Sequence, residues 1–292
     1  MSAGIRKGKA LGERVAPYAF LLPGLSVFLL CVILPLIQAV EMSLYDWNIR
    51  GLTHSDFVGL DNYARALGDE QFWLSLTNSA AYMALTVPPQ MVLGLLVAML
   101  LNRHAPARPL FRVLFYLPVV TSWVVVSLLF KYLFADLGLI NYALQTEISW
   151  LSSRWTAMIA ISALGVWKGI GWSMMIFLAA LQGVPESLEE AAIMDGANRW
   201  WRFLVVTLPA IWPAALFILV MLVIGGFNVF TSVLLMTGGG PGGQTDVLLT
   251  YMYSTAFDNL DFGYSSAQAV FLLIMLSIFS FLQLRVLRGP RQ

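Results

Sequence analysis

The sequence predicts an all-α integral membrane protein, with six transmembrane helices and a pair of short extramembranous helices between the fourth and the fifth. Three observations lead there. Of the 292 residues, 59% are hydrophobic and only 11% charged, whereas a soluble domain carries about 25% charged residues. Charge-free apolar runs recur along the chain, each near the roughly 20 residues that a helix needs to cross a bilayer. Between the fourth and fifth runs lies a polar stretch, 185–204, with its own helix start and stop signals.

Taken in order, the run Val15 to Val40 predicts a helix over 17–41, and Gln71 to Asn102 one over 72–102. Val113 to Phe130 predicts 110–134, and Trp155 to Pro185, interrupted only by Lys168, predicts 156–182. Phe203 to Thr245 predicts 205–236, and Phe262 to Leu284 predicts 264–286. The membrane domain is thus expected over 17–286, flanked by short segments 1–16 and 287–292. Lys and Arg concentrate in cytoplasmic loops. The N-terminus (Arg6, Lys7, Lys9, Arg14), the second loop (Arg103, Arg108, Arg112), the fourth loop (Arg199, Arg202) and the C-terminus (Arg285, Arg288, Arg291) together hold twelve. The opposite set, Arg50, Arg65, Lys131 and Arg154, holds four. Both termini and the loop between helices four and five are therefore expected in the cytoplasm. The N-terminal apolar run is too long for a signal peptide and lacks a small-residue cleavage site. It is expected to be retained. The one cysteine, Cys31, lies in an apolar run and reads as a packing residue.

The fourth loop carries Glu186, Glu189, Glu190 and Asp195, four of the sixteen carboxylates. Pro185 suits a first helical turn, where its missing N–H is unsatisfied anyway, and the early glutamates complement the positive end of that helix. Gly196 supplies a left-handed cap. A second short helix is expected from Asn198 to about Leu204, carrying Arg199, Trp200, Trp201 and Arg202.

This loop resembles the coupling loop of binding-protein-dependent ABC importer permeases, whose pattern is Glu-Ala-Ala, three residues, Gly, nine residues, then Ile-x-Leu-Pro. Here it reads Glu190-Ala191-Ala192, Gly196, then Val206-Thr207-Leu208-Pro209, with Val in place of Ile. Phe57-Val58-Gly59-Leu60-Asp61-Asn62-Tyr63 and Thr237-Gly238-Gly239-Gly240-Pro241 resemble the carbohydrate-type branch of the same family. The resemblance implies the type I importer permease fold. It also implies a second permease subunit of a different chain, a dimer of cytoplasmic ATP-binding subunits and an extracytoplasmic solute-binding protein. Glu190, Ala191, Ala192, Asp195, Gly196, Ala197, Arg199, Leu208 and Pro209 become the residues expected to engage the ATPase. Trp200 and Trp201 are expected to pack the two short helices together.

The glycine-rich run 238–245 comes close to a phosphate loop but has Gln244 where the phosphate-binding Lys is required, and a membrane helix rather than a strand precedes it. It reads as a flexible turn. The two histidines, His54 and His104, fall on opposite sides of the membrane, so neither a metal site nor a nucleophile–base pair is expected. No enzyme and no cofactor is expected. Lys168 is the one charge inside a predicted span, and such groups face a cavity or a partner. It either lines the solute path or holds helix four in place. Trp172 nearby can stack on a sugar face or pack. Asn228, with Phe227 and Phe230 around it, needs a hydrogen-bond partner in the membrane. That arrangement suits a cavity that reads hydroxyls, with helix packing as the competing reading; the resemblance implies substrate contact by asparagines in this region.

The function expected is half of the translocation pathway of an ATP-driven importer in the cell inner membrane. The solute is expected to be a neutral oligosaccharide, disaccharide or polyol. A glycerol phosphate or other small anion is the alternative within the same class. An ion-coupled carrier is the alternative outside it. Such carriers tend to use intramembrane Asp, Glu or His, and helices two to six contain none.

Overall fold

A computed structural model describes residues 16–18, 20–47, 55–102 and 107–287. His54, His104, Arg50, Arg103 and the terminal basic residues 6, 7, 9, 14, 288 and 291 lie outside the described residues. Five helices are long and apolar enough to cross a membrane: Ala16–Met42, Glu70–Asn102, Arg154–Gln182, Arg199–Phe227 and Phe262–Arg285. The predicted third span is instead two helices, Arg108–Val120 and Trp123–Leu133, meeting at 93°. They make a sixth span only if the bent pair crosses as one.

The chain forms two compact units, residues 1–68 with 255–273, and residues 69–254 with 274–292. In the first unit a π-helical turn, Leu29–Ile33, runs into α1 (Leu34–Met42). A short antiparallel pair, β1 (Tyr45–Asp46) and β2 (Asp56–Phe57), then leads to α2 (Asp61–Gly68). The Phe57–Tyr63 phrase is the knot of this unit. Gly59 turns the chain with φ +60°, and the Asn62 amide donates to the Ser43 and Tyr45 carbonyls, both at 3.0 Å. Ser43 and Tyr63 share a hydroxyl hydrogen bond of 2.6 Å. Arg65 pairs with Asp261 at 2.6 Å and lies 4.0 Å over the Tyr264 ring.

The second unit is built on α3 (Glu70–Asn102) packed along α7 (Arg154–Gln182). Around them lie α4 (Arg108–Val120), α5 (Trp123–Leu133), α6 (Leu139–Leu144) and the loop helices α8 (Glu186–Met194) and α9 (Arg199–Arg202). The chain continues through α10 (Leu208–Phe227), α11 (Thr231–Met236) and α12 (Leu248–Tyr253). α13 (Phe262–Leu287) contributes residues to both units. One core of the second unit gathers Tyr82, Met158, Ile161, Leu164, Val233 and Met236. The other gathers Ala98, Phe177, Leu178, Ile211 and Ile218. Gly94 and Gly171 let backbones approach, since a Cβ there would strike Ser173 and the Phe115 carbonyl respectively.

Two boundaries differ from the sequence expectation, for reasons of backbone chemistry. α9 is not a separate helix after Gly196: it continues through a π-helical turn, Phe203–Thr207, into α10. Two of the three π turns among the described residues lead into Leu-Pro pairs, Leu34-Pro35 and Leu208-Pro209. In each, the leucine N–H donates five residues back, Leu34 to Leu29 and Leu208 to Phe203. Proline has no N–H and its ring crowds the carbonyl four residues earlier; the wider turn moves that carbonyl aside. The expected helix over 205–236 also stops at Phe227 and resumes at Thr231. There Asn228 turns its amide back onto the Ile224 carbonyl at 2.9 Å.

Asn62→Ala removes the donor that ties two hairpin carbonyls. Thermal unfolding in detergent is expected to show a loss of about 2 kcal/mol, and an unchanged melting point would count against the knot.

Candidate functional site

The site begins where α4 breaks. Pro118 interrupts the helical ladder, and Thr121 and Ser122 are extended before α5 starts at Trp123. The break leaves carbonyls without intrahelical partners. The Lys168 ammonium, 4% exposed on α7, takes them. It donates to the carbonyls of Pro118 at 2.7 Å, Thr121 at 2.6 Å and Val119 at 3.2 Å, and lies 4.9 Å over the Trp123 ring. An intramembrane ammonium paired with backbone carbonyls is one of the few stable solutions for such a group. Its three N–H donors all point at main-chain oxygens.

A cavity of about 220 Å³ opens beside this clamp, with Lys168, Trp123 and Trp172 on one side and Gly225 and Gly226 of α10 on another. Tyr82, Thr86 and Gln90 of α3 complete its wall. A second cavity of about 370 Å³ shares Tyr82, Trp123 and Gly225 and adds Asn228 and Phe230. The predicted pathway residues therefore divide. Lys168 and Trp172 line the first cavity and Asn228 and Phe230 the second, while Phe230 also rests on Tyr253 with ring centroids 5.4 Å apart. Phe227 is 3% exposed and turned toward Phe279, and lines neither. Sequence reasoning passed over Tyr82, Gln90 and Trp123. The signal for the first two was present: three polar residues at four-residue spacing inside an apolar helix share one face.

The loop between α7 and α10 is closed by hydrogen bonds. Gly196, at φ +78°, adopts the left-handed conformation that L side chains rarely take. Its N–H donates to Ile193 at 3.0 Å and the Ala197 N–H to Ala192 at 2.9 Å, which is the Schellman arrangement. Asn198 then caps α9 by accepting from the Trp201 N–H at 2.9 Å. Glu190, Ala191, Asp195 and Arg199 are exposed around this turn, and Leu208 and Pro209 begin α10. The tryptophans do not pack the two helices together: Trp200 and Trp201 are 66% and 58% exposed. Behind the turn, Glu186, Glu189, Arg199 and Arg202 line a cavity of about 330 Å³.

The glycine-rich run is also tied down rather than flexible. The Thr245 hydroxyl donates to the Gly240 carbonyl at 2.7 Å and lies 2.9 Å from the Thr237 hydroxyl. Asn78 donates to the Gln244 and Asp246 carbonyls at 2.9 and 2.7 Å and accepts from Arg154 at 2.8 Å. Burial pushes the Asp246 carboxyl above its ordinary range, while hydrogen bonds from Thr250 and Gln71 pull it back.

Residues 90–290 match the family described as the binding-protein-dependent transport system inner membrane component. The chain is 34% identical over 289 residues to the probable ABC transporter permease protein YurN of Bacillus subtilis (strain 168), covering 96% of this chain and 98% of the relative. It is 33% identical over 280 residues to the arabinooligosaccharides transport system permease protein AraP of Halalkalibacterium halodurans, covering 93% and 87%. Its fold resembles a chain of a bacterial ABC transporter involved in import of the acidic polysaccharide alginate, with TM-score 0.81, 23% identity, and 97% and 98% of the two chains covered.

Replacing Lys168 by Met removes the ammonium donor from the carbonyls of Pro118, Val119 and Thr121, of which Pro118 keeps the Thr121 N–H and hydroxyl. The expected loss is about 2–4 kcal/mol of stability, read as a lower melting temperature in detergent, with Lys168→Arg retaining part of it. An undiminished melting temperature in Lys168→Met would refute the clamp.

Proposed function

This chain belongs to the family of binding-protein-dependent transport system inner membrane components, and from that premise we propose that it is one permease subunit of an ATP-driven sugar importer. Residues 17–286 form its transmembrane domain, with segments 1–16 and 287–292 on the cytoplasmic side. A second, different permease completes the pathway, an extracytoplasmic binding protein delivers the sugar, and two ATP-binding subunits dock on α8 and α9. The sugar assignment draws on the relative that carries arabinooligosaccharides in its name and on the alginate importer.

The observation that carries the coupling reading is the exposed Schellman turn at Gly196 together with the unbroken run from α9 to α10. The turn fixes the angle between α8 and α9. The π turn then joins α9 to a helix that ends in the wall of the first cavity, at Gly225 and Gly226. A displacement imposed on α8 by a closing ATPase dimer is passed along α10 to the solute path. Glu190, Asp195 and Arg199 offer charged contacts to the ATPase, and Ala191, Ala192 and Ala197 keep the turn narrow. Lys168, Trp172, Asn228 and Phe230 lie along the solute path, and Phe227 supports it from behind.

The test is uptake by proteoliposomes holding the complete transporter. Uptake is expected to require ATP and to survive collapse of ion gradients. A valine at 196 would be forced into a left-handed conformation that costs about 1–2 kcal/mol, so Gly196→Val is expected to cut uptake about tenfold while ATP hydrolysis and membrane insertion persist. Wild-type uptake by this variant would rule out the lever.

A further inference from the structure

Two glycines of α7 leave room for two polar side chains of α3. A Cβ at Gly165 would overlap the Tyr82 phenol, and a Cβ at Gly169 would overlap the Gln90 carboxamide. Tyr82 and Gln90 are 5% and 7% exposed and line the first cavity. Neither side chain makes a hydrogen bond to any described residue. Thr86, between them on the same face, has its hydroxyl occupied by the Tyr82 carbonyl at 2.7 Å. Buried polar groups are nearly always hydrogen-bonded; the phenol and the carboxamide line the cavity, so their hydrogen-bonding capacity is open to whatever enters it.

Their chemistry says what that occupant is. A phenol and a carboxamide each both donate and accept, which suits hydroxyl groups, themselves donors and acceptors. Lys168 is the single charged side chain on this wall, and its N–H groups are directed at the carbonyls of the α4 break. A carboxylate or phosphate would have to compete with these carbonyls for the ammonium. Trp123 and Trp172 add aromatic faces suited to the apolar faces of a ring. We propose that Tyr82 and Gln90 are the specificity-determining pair of this cavity, reading the hydroxyls of an uncharged, polyhydroxylated ring, with Gly165 and Gly169 as the sockets that seat them. The assignment rests on the importer reading given under Proposed function.

The experiment uses the complete reconstituted transporter with radiolabelled arabinotriose, maltose and trehalose as neutral probes and an alginate trisaccharide as the anionic one. Wild type is expected to take up at least one neutral probe in preference to the alginate trisaccharide. Gln90→Ala is expected to raise KM for that probe about tenfold with the maximal rate little changed, and Tyr82→Phe to raise it less. Gly169→Ala, which displaces the carboxamide without removing it, is expected to reproduce the Gln90→Ala shift. The double substitution is expected to add nothing further, because both act on one contact. If Gly169→Ala does not assemble, Gln90→Ala and Tyr82→Phe carry the test, since they only remove atoms. Unchanged KM in both, with wild-type transport intact, overturns this assignment and leaves the importer reading standing. Preference for the alginate trisaccharide overturns the uncharged class. Absence of ATP-dependent uptake of every probe sinks the importer reading itself, and this assignment with it.

Discussion

One ammonium group holds the centre of the second unit together. α4 carries Pro118 in its last turn and gives way to extended backbone at Thr121 and Ser122, and in an apolar medium each freed carbonyl needs a new donor. Lys168 supplies three N–H groups from a neighbouring helix at 2.6, 2.7 and 3.2 Å. The charge and the break therefore stabilise each other: either alone in hydrocarbon is unfavourable. With the clamp in place the chain turns through 93°, and Trp123 is brought to the cavity. The cavity's shape is thus a consequence of how a proline-broken helix is repaired.

The same economy of backbone groups explains the loop signature. Its residues are spaced by hydrogen-bond geometry. Ala192 to Ala197 and Ile193 to Gly196 are the two bonds of a Schellman closure, which fixes the distance from the alanines to the glycine. Leu208-Pro209 marks the end of the π turn that joins α9 to α10. Between these two devices the chain holds a stiff, exposed elbow with acidic and indole side chains outward.

Part of the buried polarity of the membrane helices lies on a face of α3 that meets the first cavity. α3 buries Tyr82, Thr86 and Gln90 on one stripe, opposite glycines of α7. The outward face of α3 is apolar, as Leu85, Val92, Leu96 and Leu100 are exposed. A helix that is apolar toward lipid and hydroxyl- or amide-bearing toward a wet interior is what a solute path through hydrocarbon requires. The glycine-rich run after α11 is tied to α3 by Asn78 and Gln71 and to itself by Thr245.

The membrane class, the helices over Ala16–Met42, Glu70–Asn102, Arg154–Gln182 and Phe262–Arg285, and the family were legible in the residues alone. Each depends on local quantities, namely the length of an apolar run and the spacing of caps and turns. Gly196 announced its left-handed turn for the same reason. The break at Thr121, the continuation of α9 into α10, and the end of α10 at Phe227 were not legible. Proline and asparagine state that a backbone bond will be disturbed, but not how the disturbance is repaired. That Lys168 meets the carbonyls of the α4 break, and that Tyr82 and Gln90 rather than Phe227 line the first cavity, was decided by which helices lie side by side. A side chain's partner across an interface belongs to no single helix, so only tertiary packing could assign it.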